Sequence, residues 1–126
     1  MQRRVLIVDD EDAIRLTTAA IFEINGFKVA TASCAQDAIA AISALPFDLI
    51  VTDLKMESDT AGFLVAEFAA KRNPRPIVIM ASAYPKLAID WIQHGVHAFF
   101  EKPTSTEVLL RSIAELLSRH EGAAAA

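Results

Sequence analysis

Asp9, Asp10, Asp53, Ser82 and Lys102 are the residues of this chain whose types could do chemistry together, and each follows a short apolar run. The runs are Val5-Leu6-Ile7-Val8, Leu49-Ile50-Val51-Thr52, Val78-Ile79-Met80-Ala81 and Ala98-Phe99-Phe100, the last leading into Glu101-Lys102-Pro103. Three carboxylates sharing one pocket repel, and each raises the pKa of the others unless a cation intervenes. A hard divalent ion meets that need. Mg²⁺ takes oxygen ligands with water or phosphate completing its shell, Mn²⁺ is an acceptable substitute, and no His/Cys spacing suits zinc. A carboxylate can also attack phosphorus and form an acyl phosphate. Phosphoryl transfer then needs charge neutralisation and positioning, which a metal, the Lys102 ammonium and the Ser82 hydroxyl would supply. Each residue has an ordinary use when taken alone. An Asp-Asp pair serves in solvated turns and helix caps, with Asp12 able to cap the first helix; Lys102 suits a surface, and Ser82 a local turn. Their joint placement carries the chemical reading.

The elements that must position them alternate along the chain. Apolar runs of this length separated by helical patterns read as buried parallel strands. Ile14, Thr17, Ile21 and Ile24 repeat at helical spacing before an Asn25-Gly26 stop, and 28–32 reads as a short edge strand. Ser33 with Gln36 matches a capping box for a helix whose face is Ala38, Ala41, Ile42 and Leu45, ended by Pro46. A polar loop, 55–60, leads to a helix with Leu64, Val65 and Phe68 inward, closed by Asn73-Pro74. Pro85 opens a short fourth helix that Gly95 ends. Thr104 with Glu107 is a second capping box, before a last helix striped with Leu109, Ile113, Leu116 and Leu117. Right-handed crossovers then place helices on both faces of the sheet. The expected fold is α/β, a flavodoxin-like doubly wound (βα)5 sandwich whose parallel five-stranded sheet has the order 2-1-3-4-5. That order sets strands one and three side by side, and ligands bind beyond the carboxyl ends of such strands. Asp9, Asp10 and Asp53 should converge there.

The chain has 126 residues, 53% hydrophobic and 22% charged, which fits one domain with a real core. Its net charge is −4, from 12 basic and 16 acidic residues without a basic stripe, so direct nucleic-acid binding is not expected. No membrane span or signal peptide is legible, and the single Cys34 forms no disulfide framework; a cytoplasmic setting fits. Residues 1–122 read as the domain and 123–126 as an appended or poorly defined tail.

In order and spacing, Val8-Asp9-Asp10-Glu11, Asp53 at a strand end, Ala81-Ser82-Ala83 and Lys102-Pro103 resemble the CheY-like receiver (REC) domain of two-component response regulators. The resemblance covers residues 2–120. It implies a phosphorelay switch in which Asp53 accepts a phosphoryl group from a sensor histidine kinase or a phosphotransfer protein. It also implies that Asp10, Asp53 and the backbone carbonyl of Lys55 ligate Mg²⁺, with Asp9 acting through water. Ser82 and Lys102 would bind the phosphoryl group, and Phe99 occupies the aromatic switch position. The signal would leave through the face of helix 4, strand 5 and helix 5, toward an output domain or target protein. No independent metabolic activity is implied, only catalysis of the domain's own phosphorylation and dephosphorylation.

Some positions depart from the family pattern. Glu57 replaces the proline usual after the acceptor, the glycine that follows arrives late at Gly62, and the stretch from Ser82 to Gly95 is shorter than usual. Glu57 and Asp59 read as a solvated acidic loop, and helix 4 as short or displaced. Lys55 and Tyr84 flank the route of attacking water in this family, so their bulk should slow phosphoryl loss. His94 and His97 border a glycine turn and are not expected to bind metal; Trp91 reads as packing or an exposed contact. Val96, His97 and Ala98 replace an acidic pair found in many winged-helix regulators, which leaves a monomer or a weak dimer through that same face. The alternative to a phosphorylated switch is an interaction module that keeps the fold without phosphate. An aspartyl phosphatase would want an acid where Lys55 stands.

Overall fold

The apolar runs form β1 (Arg4–Val8), β2 (Lys28–Ala32), β3 (Leu49–Asp53), β4 (Ile77–Ser82) and β5 (Ala98–Glu101). In the computed structural model, which describes residues 2–125 and the side chains of 2–119, they pair in parallel in the order β2-β1-β3-β4-β5. Register pairs Val5 with Leu49 and Val8 with Thr52, while Asp53 pairs with Ala81 and Ser82 with Glu101. The polar ends of four strands therefore reach one edge together. Helices α1 (Asp12–Ile24), α2 (Ala35–Ala44), α3 (Ala61–Ala70) and α4 (Thr106–Ala125) provide the crossovers and the closing element. No helix among the described residues is long and apolar enough to cross a membrane.

Successive strand side chains point to opposite faces, so each strand feeds two cores. Leu6, Val8, Ile50, Val78 and Met80 pack with α2 and α3. Val5, Ile7, Leu49, Val51, Ile77 and Ile79 pack with Phe22 of α1 and Ile113 and Leu117 of α4. Each such burial stabilises the fold by about 25 cal/mol per Å² of apolar surface removed from water. The helix faces differ in part from the sequence expectation. Ile24 and Leu64 are exposed, at 84% and 55%, and Thr17 is exposed too, whereas Ala19 and Phe22 of α1 and Phe63, Val65, Ala66 and Ala69 of α3 are buried. In α3 the apolar residues run almost all round the helix, so periodicity does not choose its inward face. The close seat of its first turn on β3 does.

Three caps also differ from the sequence reading. Cys34, not Ser33, precedes α2, and its Sγ accepts from the Asp37 N–H at 3.4 Å. Ser105, not Thr104, precedes α4; Thr104 Oγ1 instead donates to the Glu101 carbonyl at 2.7 Å. Asp12 lies inside the first turn of α1 and pairs with Arg15 at 2.7 Å rather than capping the helix. The helix backbone of α4 continues to Ala125, and Ala126 lies outside the described residues.

The largest difference is the fourth helix, which is replaced by two 3₁₀ turns, Pro85–Ala88 and Trp91–His94. A 3₁₀ turn rises about 2.0 Å per residue against 1.5 Å in an α-helix, so the shortened stretch still spans β4 to β5. Gly95 ends it at φ +86°, a conformation that glycine adopts without steric cost.

His94 fastens this segment to α3. Its ring stacks on Phe63 at 3.8 Å, while Nδ1 lies 2.6 Å from Glu67 Oε2 and Nε2 3.1 Å from Asp90 Oδ2. Two carboxylates on opposite ring nitrogens hold both as N–H donors. The hydrogen bond to Glu67 raises the pKa of His94 above its ordinary value, partial burial opposes this, and Asp90 adds to the rise. The charged clamp therefore contributes fully below about pH 6.5 and is lost as pH climbs through the higher folded value. An NMR titration of His94 should show a raised pKa that Glu67→Gln lowers. A ring titrating at its ordinary value in wild type would contradict the clamp.

Candidate phosphoryl-transfer site

The site is assembled from strand ends and the loops that follow them. The Asp9 N–H donates to Ala32 O at 3.1 Å, which extends the β1–β2 ladder by one residue. Its Oδ1 then accepts from the Glu11 N–H at 3.0 Å, a turn that aspartate makes readily. Arg15 Nη1 donates to the Asp9 carbonyl at 3.0 Å. Asp9 is buried as a result, and its Oδ2 meets Lys102 Nζ at 2.9 Å. Arg15 had no role in the sequence reading, although its helical spacing from Asp12 made their pairing legible.

Asp53 is fixed from both sides. Its Oδ1 accepts from the N–H of the fully buried Leu54 at 2.8 Å, and its Oδ2 lies 3.3 Å from Lys102 Nζ. Asp9, Asp10 and Asp53 each offer a carboxylate oxygen within 4.8 Å of the others. This hard oxygen cluster, open on the exposed Asp10 side, is a donor set that suits Mg²⁺ or Mn²⁺. Burial pushes the Asp53 carboxyl above its ordinary value; Lys102 pulls it back, and Asp9 pushes it further up. Burial pulls Lys102 down, but the hydrogen bond to Asp9 and the charges of Asp53 and Asp9 outweigh it, leaving a raised pKa and a firmly charged ammonium. The cation that the three acids require is thus partly supplied by the chain.

Ser82 is fully buried at the end of β4, and its Oγ accepts from the Tyr84 N–H at 2.9 Å. Lys55 Nζ sits 4.6 Å from the centre of the Tyr84 ring and 3.9 Å from Asp59, so it links the loops after β3 and β4. Glu57 is exposed, as expected of a solvated loop acid, yet it has a partner on α2. Its two carboxylate oxygens lie 3.2 and 2.9 Å from the Ala35 N–H at the start of α2. Phe99 is half-buried and stacks on Trp91, ring centres 6.4 Å apart, so Trp91 is a packing residue. His97 Nδ1 accepts from the Val78 N–H at 3.0 Å. Below the acids, a cavity of about 380 Å³ runs into an apolar seam between α1 and α4 lined by Ile14, Ile21, Phe22 and Leu109.

A sequence model described as the response regulator receiver domain matches residues 5–114. The alginate biosynthesis transcriptional regulatory protein AlgB of Pseudomonas aeruginosa is 33% identical over 117 residues, which are 92% of this chain and 26% of that protein. The nitrogen assimilation regulatory protein NtrX of Azorhizobium caulinodans is 32% identical over 113 residues, 87% of this chain and 25% of that protein. The chain therefore spans about a quarter of the length of these relatives. Among solved structures, a CheY-like receiver domain protein from Methanospirillum hungatei superimposes with a TM-score of 0.89 at 32% identity, covering 97% of this chain and 98% of that one. Fold, strand-end acids and sequence agree, and the chain belongs to the response regulator receiver domain family.

Proposed function

We propose that this domain is a phosphoacceptor switch in which Asp53 takes a phosphoryl group from a phosphohistidine of a sensor kinase or phosphotransfer protein. The observation that carries this reading is the Lys102 ammonium held between Asp9 and Asp53 at 2.9 and 3.3 Å, beside Asp10. An Asp53 oxygen attacks phosphorus, the P–N bond breaks, and the imidazole departs with its electron pair; an acyl phosphate results. Lys102 is placed to follow the charge from the carboxylate to the phosphoryl oxygens. Ser82 accepts from Tyr84 with its oxygen, which leaves its own O–H proton to donate to a phosphoryl oxygen. Asp10, Asp53 and the carbonyl of Lys55 would hold Mg²⁺ or Mn²⁺, with the more deeply buried Asp9 acting through water. Bound there, the ion would neutralise charge on the transferring group.

The response would pass through Ser82 and Phe99 to the face made by the 3₁₀ segment, β5 and α4. That face would meet an output domain or target protein, or a weakly associating second copy, in a cytoplasmic setting. Incubation with Mg²⁺ and a small acyl-phosphate donor tests the central claim by mass. A gain of one phosphoryl group supports it, and no gain with either donor or cognate kinase would favour an interaction module that works without phosphate.

The Lys55–Tyr84 contact adds a kinetic expectation. A cation seated on an aromatic ring contributes about 0.5–1 kcal/mol at an exposed site, enough to bias two loops toward one another. Lys55→Ala and Tyr84→Ala should each shorten the lifetime of the acyl phosphate severalfold, because water reaches Asp53 more freely. Lifetimes equal to wild type would sink this role.

A further inference from the structure

We infer that Glu57 is a positioning residue for the cation site, a latch that holds the loop after β3 through the first turn of α2. The inference rests on the metal reading above. The first N–H groups of a helix lack intrahelical acceptors, and α2 has only a weak cap, the Cys34 sulfur at 3.4 Å from the Asp37 N–H. Glu57, 22 residues further along the chain, brings a charged acceptor to the Ala35 N–H at 2.9 Å. A charge-assisted bond beside the positive end of a helix is stronger than a neutral one.

The latch adds a long-range anchor to a loop whose other contacts are mostly local. Leu54 is fully buried, and its carbonyl accepts from the Gly62 N–H at 2.8 Å. Met56 is buried against α2 and α3, and its N–H donates to Ser58 O at 3.0 Å. Lys55 lies between these two buried residues, so the direction of its carbonyl is set by where Leu54 and Met56 sit. Glu57 adjoins Met56 and ties it to α2. The same bond connects α2 to the loop that bears the carbonyl.

The test measures Mg²⁺ binding calorimetrically in wild type, Glu57→Ala and Glu57→Gln, together with hydrogen exchange of the Ala35 amide. Loss of an outer partner that orients a ligand costs about tenfold in metal affinity. Glu57→Ala should show that loss and faster Ala35 exchange. Glu57→Gln keeps an acceptor oxygen without the charge and should recover part of both, which removal of a nearby negative charge alone would not allow. Wild-type Mg²⁺ affinity in Glu57→Ala would overturn the latch, and so would Glu57→Gln binding as weakly as Glu57→Ala. Wild-type protein that takes no Mg²⁺ would overturn the metal reading itself, and this role with it.

Discussion

Asp53→Asn should gain no phosphoryl group from any donor, yet unfold at a higher temperature than wild type in metal-free buffer. The first half follows from chemistry, because an amide is a poor nucleophile toward phosphorus. Asp9 is buried and Asp10 exposed, whereas Asp53 stands half-buried between them. The second half follows from electrostatics. Burial, with Asp9 as a like-charged neighbour, raises the folded pKa of Asp53 above its ordinary 3.8 even though Lys102 opposes the rise. An acid raised on folding costs stability once it ionises. The cost begins as pH rises through the unfolded value and is complete above the folded one. At neutral pH the asparagine removes it, while Asp9 still holds Lys102. Calorimetric melts should show the variant's advantage shrinking as pH falls through the folded value and gone below the unfolded one. A variant that melts below wild type at neutral pH would contradict this account, and one that still gains the phosphoryl mass would move the acceptor elsewhere.

Gly62→Ala should be among the most damaging single-methyl additions in the chain. A Cβ at Gly62 would lie 2.2 Å from the Asp53 carbonyl oxygen and 2.8 Å from Leu54 Cα. Both are backbone atoms of the site, so no side chain can rotate away and the first turn of α3 must lift off β3. Overpacking of this kind costs about 3 kcal/mol or more, equivalent to a fall in Tm of roughly 10 °C for a domain of this size. The same displacement moves the Leu54 N–H that holds Asp53 Oδ1 at 2.8 Å, so phosphoryl uptake should fall in the protein that remains folded. Urea denaturation and mass measurement on one preparation read both effects. Stability within about 0.5 kcal/mol of wild type, the usual range for surface changes, would refute the close contact.

Gly62 illustrates what was legible in the chain and what was not. Its late arrival after Asp53 could be read directly, but its purpose appears only where α3 rests on the β3 backbone. Glu57 is similar. A solvated acid was a fair expectation for a polar loop, and only the fold brings Ala35 to it. The helix in place of the 3₁₀ turns failed for a further reason. Pro85 and Gly95 marked both ends correctly, but the distance to be spanned between β4 and β5 is not a local property.

The sequence by itself determined the strands, their order and the convergence of Asp9, Asp10, Asp53 and Lys102. Each strand is a continuous apolar run, and parallel pairing leaves a polar strand end little choice of place. Tertiary structure decided how α3 turns, which residues cap α2, and how His94 clamps the 3₁₀ segment. Those outcomes rest on partners 22 and 27 residues apart in the chain, whose bonds form only after the sheet has brought them together.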